Sequence, residues 1–190
     1  MNLQETLQRR IRLTTSLFII GLILSGASAI PLVWESNALV NWFGLAGQTS
    51  ATATSEPARW LLGVRDSLSD ASARHDFLFY GTDWLAFGHF VIAIAFVGGL
   101  RDPVRNRWLF DFGLMACVLV IPYAFFFGAI RGIPVWWRLI DCAFGVFGFI
   151  PLWLCRKWVA ALEVLASSAS PMEKAQGRGN SLIEGQEQEN

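Results

Sequence analysis

The side chains that could do chemistry are few, and most lie inside or beside long apolar runs. Asp141 and His89 are a candidate acid and base, and Asp83 is a further candidate carboxylate. Arg131 and Arg138 are candidates for holding an anionic head group. An ionisable group in an apolar span is expensive, so each is a functional candidate by default. If the helix bearing Asp141 starts at Pro134, its carboxylate lies about 10 Å down, and His89 lies about as deep beyond an expected N-cap at Thr82. Glu35, Asp83 and His75-Asp76 belong near the same surface. Charged groups and an imidazole from helices one, two and four are therefore expected in one leaflet, the outer one.

A structural use of the same residues competes. Arg138 and Asp141 are three apart on a helix and can neutralise each other. Arg131 can hold a lipid phosphate, and His89 can hydrogen-bond a backbone carbonyl on a neighbouring helix. Asp111 follows Arg107 by four residues near a helix N-terminus, which suits a structural acid. Asp83 and His89 are about 120° apart around a helix and share no face, which argues against a dyad there.

No metal or cofactor is expected. The chain has 2 His and 3 Cys, and Cys117, Cys142 and Cys155 form no CxxC pair. One intramembrane His is too few for a haem held between two imidazoles. No phosphate-cradling Gly loop, G-x-S-x-G or H-E-x-x-H occurs. The cysteines are expected to pack, as are Gly145 and Gly148 among Phe144, Phe147 and Phe149.

The elements that must position these residues are four spans. A bilayer core of about 30 Å needs about 20 mainly apolar residues at 1.5 Å each. Runs of that kind occupy 13–34, 80–100, 108–130 and 134–155, too long for strands and without period-2 alternation. The expected fold is an all-α integral membrane bundle of four transmembrane helices. Residues 35–79 form an outer loop, 101–107 and 131–133 short turns, 1–12 an inner N-terminus and 156–190 an inner, mostly disordered tail. Within the outer loop, Ser36–Phe43 reads as a short helix lying on the membrane. Gln48–Ser55 reads as flexible linker, the stretch from Glu56 as an amphipathic helix, and Ser67–Ala73 as a turn. Pro122 should kink span three.

The first span has an alternative. Arg9, Arg10 and Arg12 precede an apolar run ending in Ala27-Ser28-Ala29, which looks like a signal-peptidase site. The run continues to Val33, and Gly21, Ser25 and Ala29 repeat at i+4, which suits a retained, helix-packing span.

With four spans, ten of the 15 Lys and Arg fall on one side: Arg9, Arg10, Arg12, Arg101, Arg105, Arg107, Arg156, Lys157, Lys174 and Arg178. Positive residues mark the cytoplasmic side, so both termini are expected there. Composition agrees with a membrane: 54% hydrophobic, 16% charged, 9 Trp and 15 Phe. A net charge of +0 gives no basic excess, so no nucleic-acid partner is expected.

The motifs Tyr80-Gly81-Thr82-Asp83-Trp84-Leu85-Ala86-Phe87-Gly88-His89, Arg101-Asp102-Pro103-Val104-Arg105-Asn106, Ile130-Arg131-Gly132-Ile133-Pro134 and Leu139-Ile140-Asp141-Cys142 resemble an uncharacterised family of small bacterial four-span integral membrane proteins. The resemblance covers about Trp60 to Lys157. It implies a multi-pass protein of the bacterial inner membrane and brings no activity or catalytic residue with it. Three functions fit the sequence. One is a non-enzymatic accessory or scaffold subunit with membrane lipids and a protein partner, or a second copy, around it. Another is a membrane-embedded enzyme or binding protein for a lipid-like or quinone-like ligand. The third is a proton-coupled transporter, which would need a polar path through both leaflets.

Overall fold

A computed structural model describes residues 2–187, with side chains to Ser168. Six α-helices follow one another: α1 (Leu3–Ser28), α2 (Leu32–Trp42), α3 (Glu56–His75), α4 (Tyr80–Arg101), α5 (Arg107–Ile130) and α6 (Val135–Glu187). A single 3-10 turn, Asp76–Phe79, joins α3 to α4. No strand occurs among the described residues. Four helical stretches are long and apolar enough to cross a membrane: Leu3–Ser28, Glu56–Arg101, Arg107–Ile130 and Val135–Ser168. The chain is thus an all-helical protein consistent with a four-helix membrane bundle. It divides into two compact units, residues 1–18 with 95–190, and residues 19–94.

The first unit is built on the α5–α6 hairpin. Leu109, Phe110, Leu152, Cys155, Val159 and Leu162 are buried in it, together with Leu7, Ile11 and Thr15 of α1 and Phe96 of α4. On α1 those three recur at i, i+4, i+8, and on α6 the buried positions recur at three and four, so each helix turns one face inward. Glycine makes the close approach possible. A Cβ on Gly145 would fall 2.6 Å from the Cys117 carbonyl oxygen, and one on Gly113 would fall 2.7 Å from Leu152 Cδ1. Phe96 fills the space between α1 and α5, with ring centroids 4.8 Å from Phe18 and 6.2 Å from Phe110. Pro122 lies inside α5, which runs unbroken through it.

The α4–α5 turn is fastened by its own polar groups. Asn106 Nδ2 donates to the carbonyls of Gly98 and Asp102, each at 3.0 Å, and Asp102 Oδ1 accepts from Arg105 N at 3.0 Å. The backbone of α6 stays helical to Glu187, past the point after Leu165 where polar composition predicts disorder. Propensity does not account for that continuation, since Pro171, Gly177 and Gly179 lie in it.

The second unit differs from expectation in three places. Gln48–Ser55 is not a loose linker. Thr52 Oγ1 accepts from Thr49 N at 3.0 Å, and Ala53 is buried with Val40, Leu61 and Leu62 under Leu45 and Ala58. The Thr-rich stretch closes a side-chain-bonded turn that pins α2 to α3. Ser67–Ala73 is not a turn but the interior of α3. That helix is capped by Ser55, whose hydroxyl accepts from Ala58 N, has Pro57 in its first turn, and pairs Asp70 with Arg74 at i,i+4. Thr82 is not an N-cap. Its hydroxyl bonds back to Phe79 O at 2.7 Å, because helical backbone already arrives from the 3-10 turn. The segment between α1 and α4 is therefore largely helical.

The ends of the helix that carries the first apolar run differ from those of the run itself. The first helix starts at Leu3 and breaks after Ser28, so Pro31 leads into α2 and Glu35 stands in the first turn of α2. The expected small-residue stripe is displaced by one position. A Cβ at Gly21 would meet nothing within 4 Å, whereas one at Gly26 would fall 2.8 Å from His89 Cβ and 3.1 Å from the Ala86 carbonyl oxygen.

Candidate functional site

In the first unit, Arg138 is positioned by the turn between α5 and α6. Helix α5 ends as a left-handed glycine cap: Gly132 has φ +68°, its N–H donates to Ala129 O at 3.2 Å, and Ile133 N donates to Gly128 O at 2.8 Å. The cap leaves the Ile133 carbonyl oxygen facing α6. Arg138 Nε donates to it at 2.7 Å. Its methylenes cross Gly128, where a Cβ would fall 2.7 Å from Arg138 Cδ. The guanidinium thus fastens the hairpin turn.

That contact removes the expected intrahelical pair. Among the described residues no ion pair joins Arg138 to Asp141, because the arginine turns back to the hairpin instead of along α6 toward the acid. Asp141 is half-buried and makes no hydrogen bond or ion pair among the described residues. It shares a face of α6 with Gly145, Leu152 and Val159, the helix's inward stripe. Arg131 is exposed at the hairpin turn.

In the second unit, His89 Nδ1 lies 2.8 Å from the Leu85 carbonyl oxygen, one turn back on its own helix. The expected carbonyl on a neighbouring helix is not used; the acceptor belongs to α4 itself. Asp83 is exposed six residues earlier on α4. It stands among Tyr80, Trp84 and Phe87 around a shallow depression of about 250 Å³. Tyr80 and Phe87 both meet the Trp84 ring edge-on, at 6.0 and 5.5 Å. Asp83 and His89 form no dyad.

The opposite end of the first unit holds charge pairs that sequence spacing misassigned. Asp111 pairs with Arg156 of α6 at 2.8 Å, not with Arg107, and Arg107 reaches Glu163 of α6 at 3.3 Å. Two crossed ion pairs therefore tie α5 to α6. Their signal in the sequence is weak, since the partners lie 45 and 56 residues apart. Cys155, buried on α6, lies 3.7 Å from the Thr15 hydroxyl of α1. The three thiols are free, and among the described residues no three His, Cys, Asp or Glu side chains gather as a metal site.

Chemically, among the described residues Asp141 of α6 and Asp83 of α4 are carboxylates without a hydrogen bond or ion pair, while Arg138, His89 and the Asp111–Arg156 and Arg107–Glu163 pairs are bonded to the fold. Compared with known protein families, curated proteins and solved structures, the chain matches none.

Proposed function

We propose that this protein is a non-enzymatic accessory or scaffold subunit of the bacterial inner membrane, multi-pass and with both termini in the cytoplasm. The observation that carries the reading is the use made of its polar groups. Arg138 fastens the α5–α6 turn, and His89 closes onto its own helix backbone. Asp111, Arg156, Arg107 and Glu163 tie two helices together. A catalytic centre needs acid, base and substrate contact held at one point within hydrogen-bond reach. Here Arg138 and His89 are each already bonded to backbone, and Asp83 and His89 form no dyad on α4. The orientation rests on the Lys and Arg distribution and the membrane on hydropathy. The bacterial setting rests on the motif resemblance.

One observation favours the second function, a membrane-embedded binding protein or enzyme for a lipid-like or quinone-like ligand. Asp141 is half-buried on the inward face of α6 without a partner. Such a group is normally paired, hydrated or in contact with a ligand. Nothing comparable favours a proton-coupled transporter. Purification from native membranes, with the mass of everything retained, separates the first two. A protein subunit at fixed stoichiometry supports the scaffold reading. A lipid or quinone at one per chain, lost in Asp141→Asn, supports the other.

A further inference from the structure

At the ion-paired end of the first unit some cationic residues are engaged. Arg107 and Arg156 are paired with acids, and Lys157 Nζ sits 3.6 Å above the Trp153 ring. Arg9, Arg10, Arg12, Arg101 and Arg105 form no ion pair among the described residues. Glu5 is one turn from Arg9, yet its carboxylate accepts from Asn2 N at 3.2 Å. Arg9 and Arg12 line an open groove of about 500 Å³ with Glu5, Gln8, Leu13 and Ser16. This face is turned away from Leu7, Ile11 and Thr15, which pack inward. Beyond the arginines the same face of α1 continues as exposed apolar side chains, Leu13 at 62% and Leu17 at 60%.

Two unpaired guanidiniums at the foot of an exposed apolar face match one chemistry, a phosphodiester carrying acyl chains. Arginine forks bind phosphate oxygens, and basic residues near a membrane surface favour anionic lipids. A zwitterionic lipid would bring its own ammonium toward the arginines. A second copy packed in parallel through this face would oppose like charges, which is unfavourable. We propose that Arg9 and Arg12, with Leu13 and Leu17 below them, form a binding site for an anionic phospholipid.

Native mass spectrometry of the full chain in detergent tests it. The probes are phosphatidylglycerol and phosphatidylcholine with identical acyl chains, and inorganic phosphate. The wild-type chain should retain phosphatidylglycerol over phosphatidylcholine. Arg9→Gln with Arg12→Gln should weaken phosphatidylglycerol retention by about fivefold for each arginine. It should leave phosphatidylcholine retention and Tm unchanged, and Arg105→Gln should have no effect. Arg9→Lys with Arg12→Lys should keep most of the preference. Equal retention of the two lipids by wild type would overturn the site without any variant. So would a preference that survives the double glutamine variant, or displacement of the lipid by inorganic phosphate at equal concentration.

Discussion

Arg138 and Asp141 illustrate how a helical spacing that permits an ion pair does not compel one. Their i,i+3 relation is legible in the sequence, but the competing acceptor is not. The Ile133 carbonyl becomes available only because Gly132 adopts φ +68° and ends α5. The two side chains should therefore act independently. In a double-mutant cycle of Arg138→Met and Asp141→Asn, thermal unfolding in detergent should give a coupling within about 0.5 kcal/mol. A coupling of several kcal/mol would restore the pair. Glycines separate in the same way. Gly145→Ala must push its new Cβ off the Cys117 carbonyl oxygen and should cost about 1–3 kcal/mol. Gly21→Ala enters open space and should be neutral or gain about 0.5–1 kcal/mol from helix propensity. The same thermal series reads both. Sequence spacing put the small-residue contact on Gly21, Ser25 and Ala29. The close approach falls on Gly26, where a Cβ would meet His89 Cβ and the Ala86 carbonyl oxygen of α4.

At the scale of the element, hydropathy locates the spans well because the apolar runs are long and nearly free of charge. It reads their ends less well, since capping and side-chain turns decide them. Ser67–Ala73 has four polar residues in seven and looks like a turn, yet Ser55, Pro57 and the Asp70–Arg74 pair carry the helix through it. Ser55→Ala should remove the cap and destabilise the second unit by about 1 kcal/mol, read as faster amide exchange across residues 56–60. Unchanged exchange there would show that the cap adds nothing. The Asp111–Arg156 contact spans two helices, and the Arg156 and Asp111 side chains are 27% and 47% exposed. Asp111→Asn should therefore cost no more than about 1 kcal/mol in Tm-derived stability. A loss of 3 kcal/mol or more, of the order of an uncompensated buried charge, would place that pair in a dry environment instead.

For the whole molecule, four helices of membrane-spanning length follow directly from composition and periodicity, which is why the fold was legible. The candidate site was legible only as a set of residue types. Which acceptor each group reaches depends on cap geometry and on contacts distant in sequence. The orientation is open to direct test. In a chain whose three cysteines are replaced, Cys at Ser50 should label with an impermeant thiol reagent in intact spheroplasts, and Cys at Asn106 should not. The reverse pattern would invert the topology, and labelling at both would change the number of spans. The central claim is that the polar groups inside the spans serve the fold and no reaction. Its most direct test is complementation of a deletion strain by a chain carrying Asp83→Asn, His89→Gln and Asp141→Asn together, with Arg138 left to fasten its turn. The account predicts a folded protein at normal abundance that complements fully. A folded, normally abundant protein that fails to complement would contradict it and would assign those three side chains to a chemical or ligand-binding site.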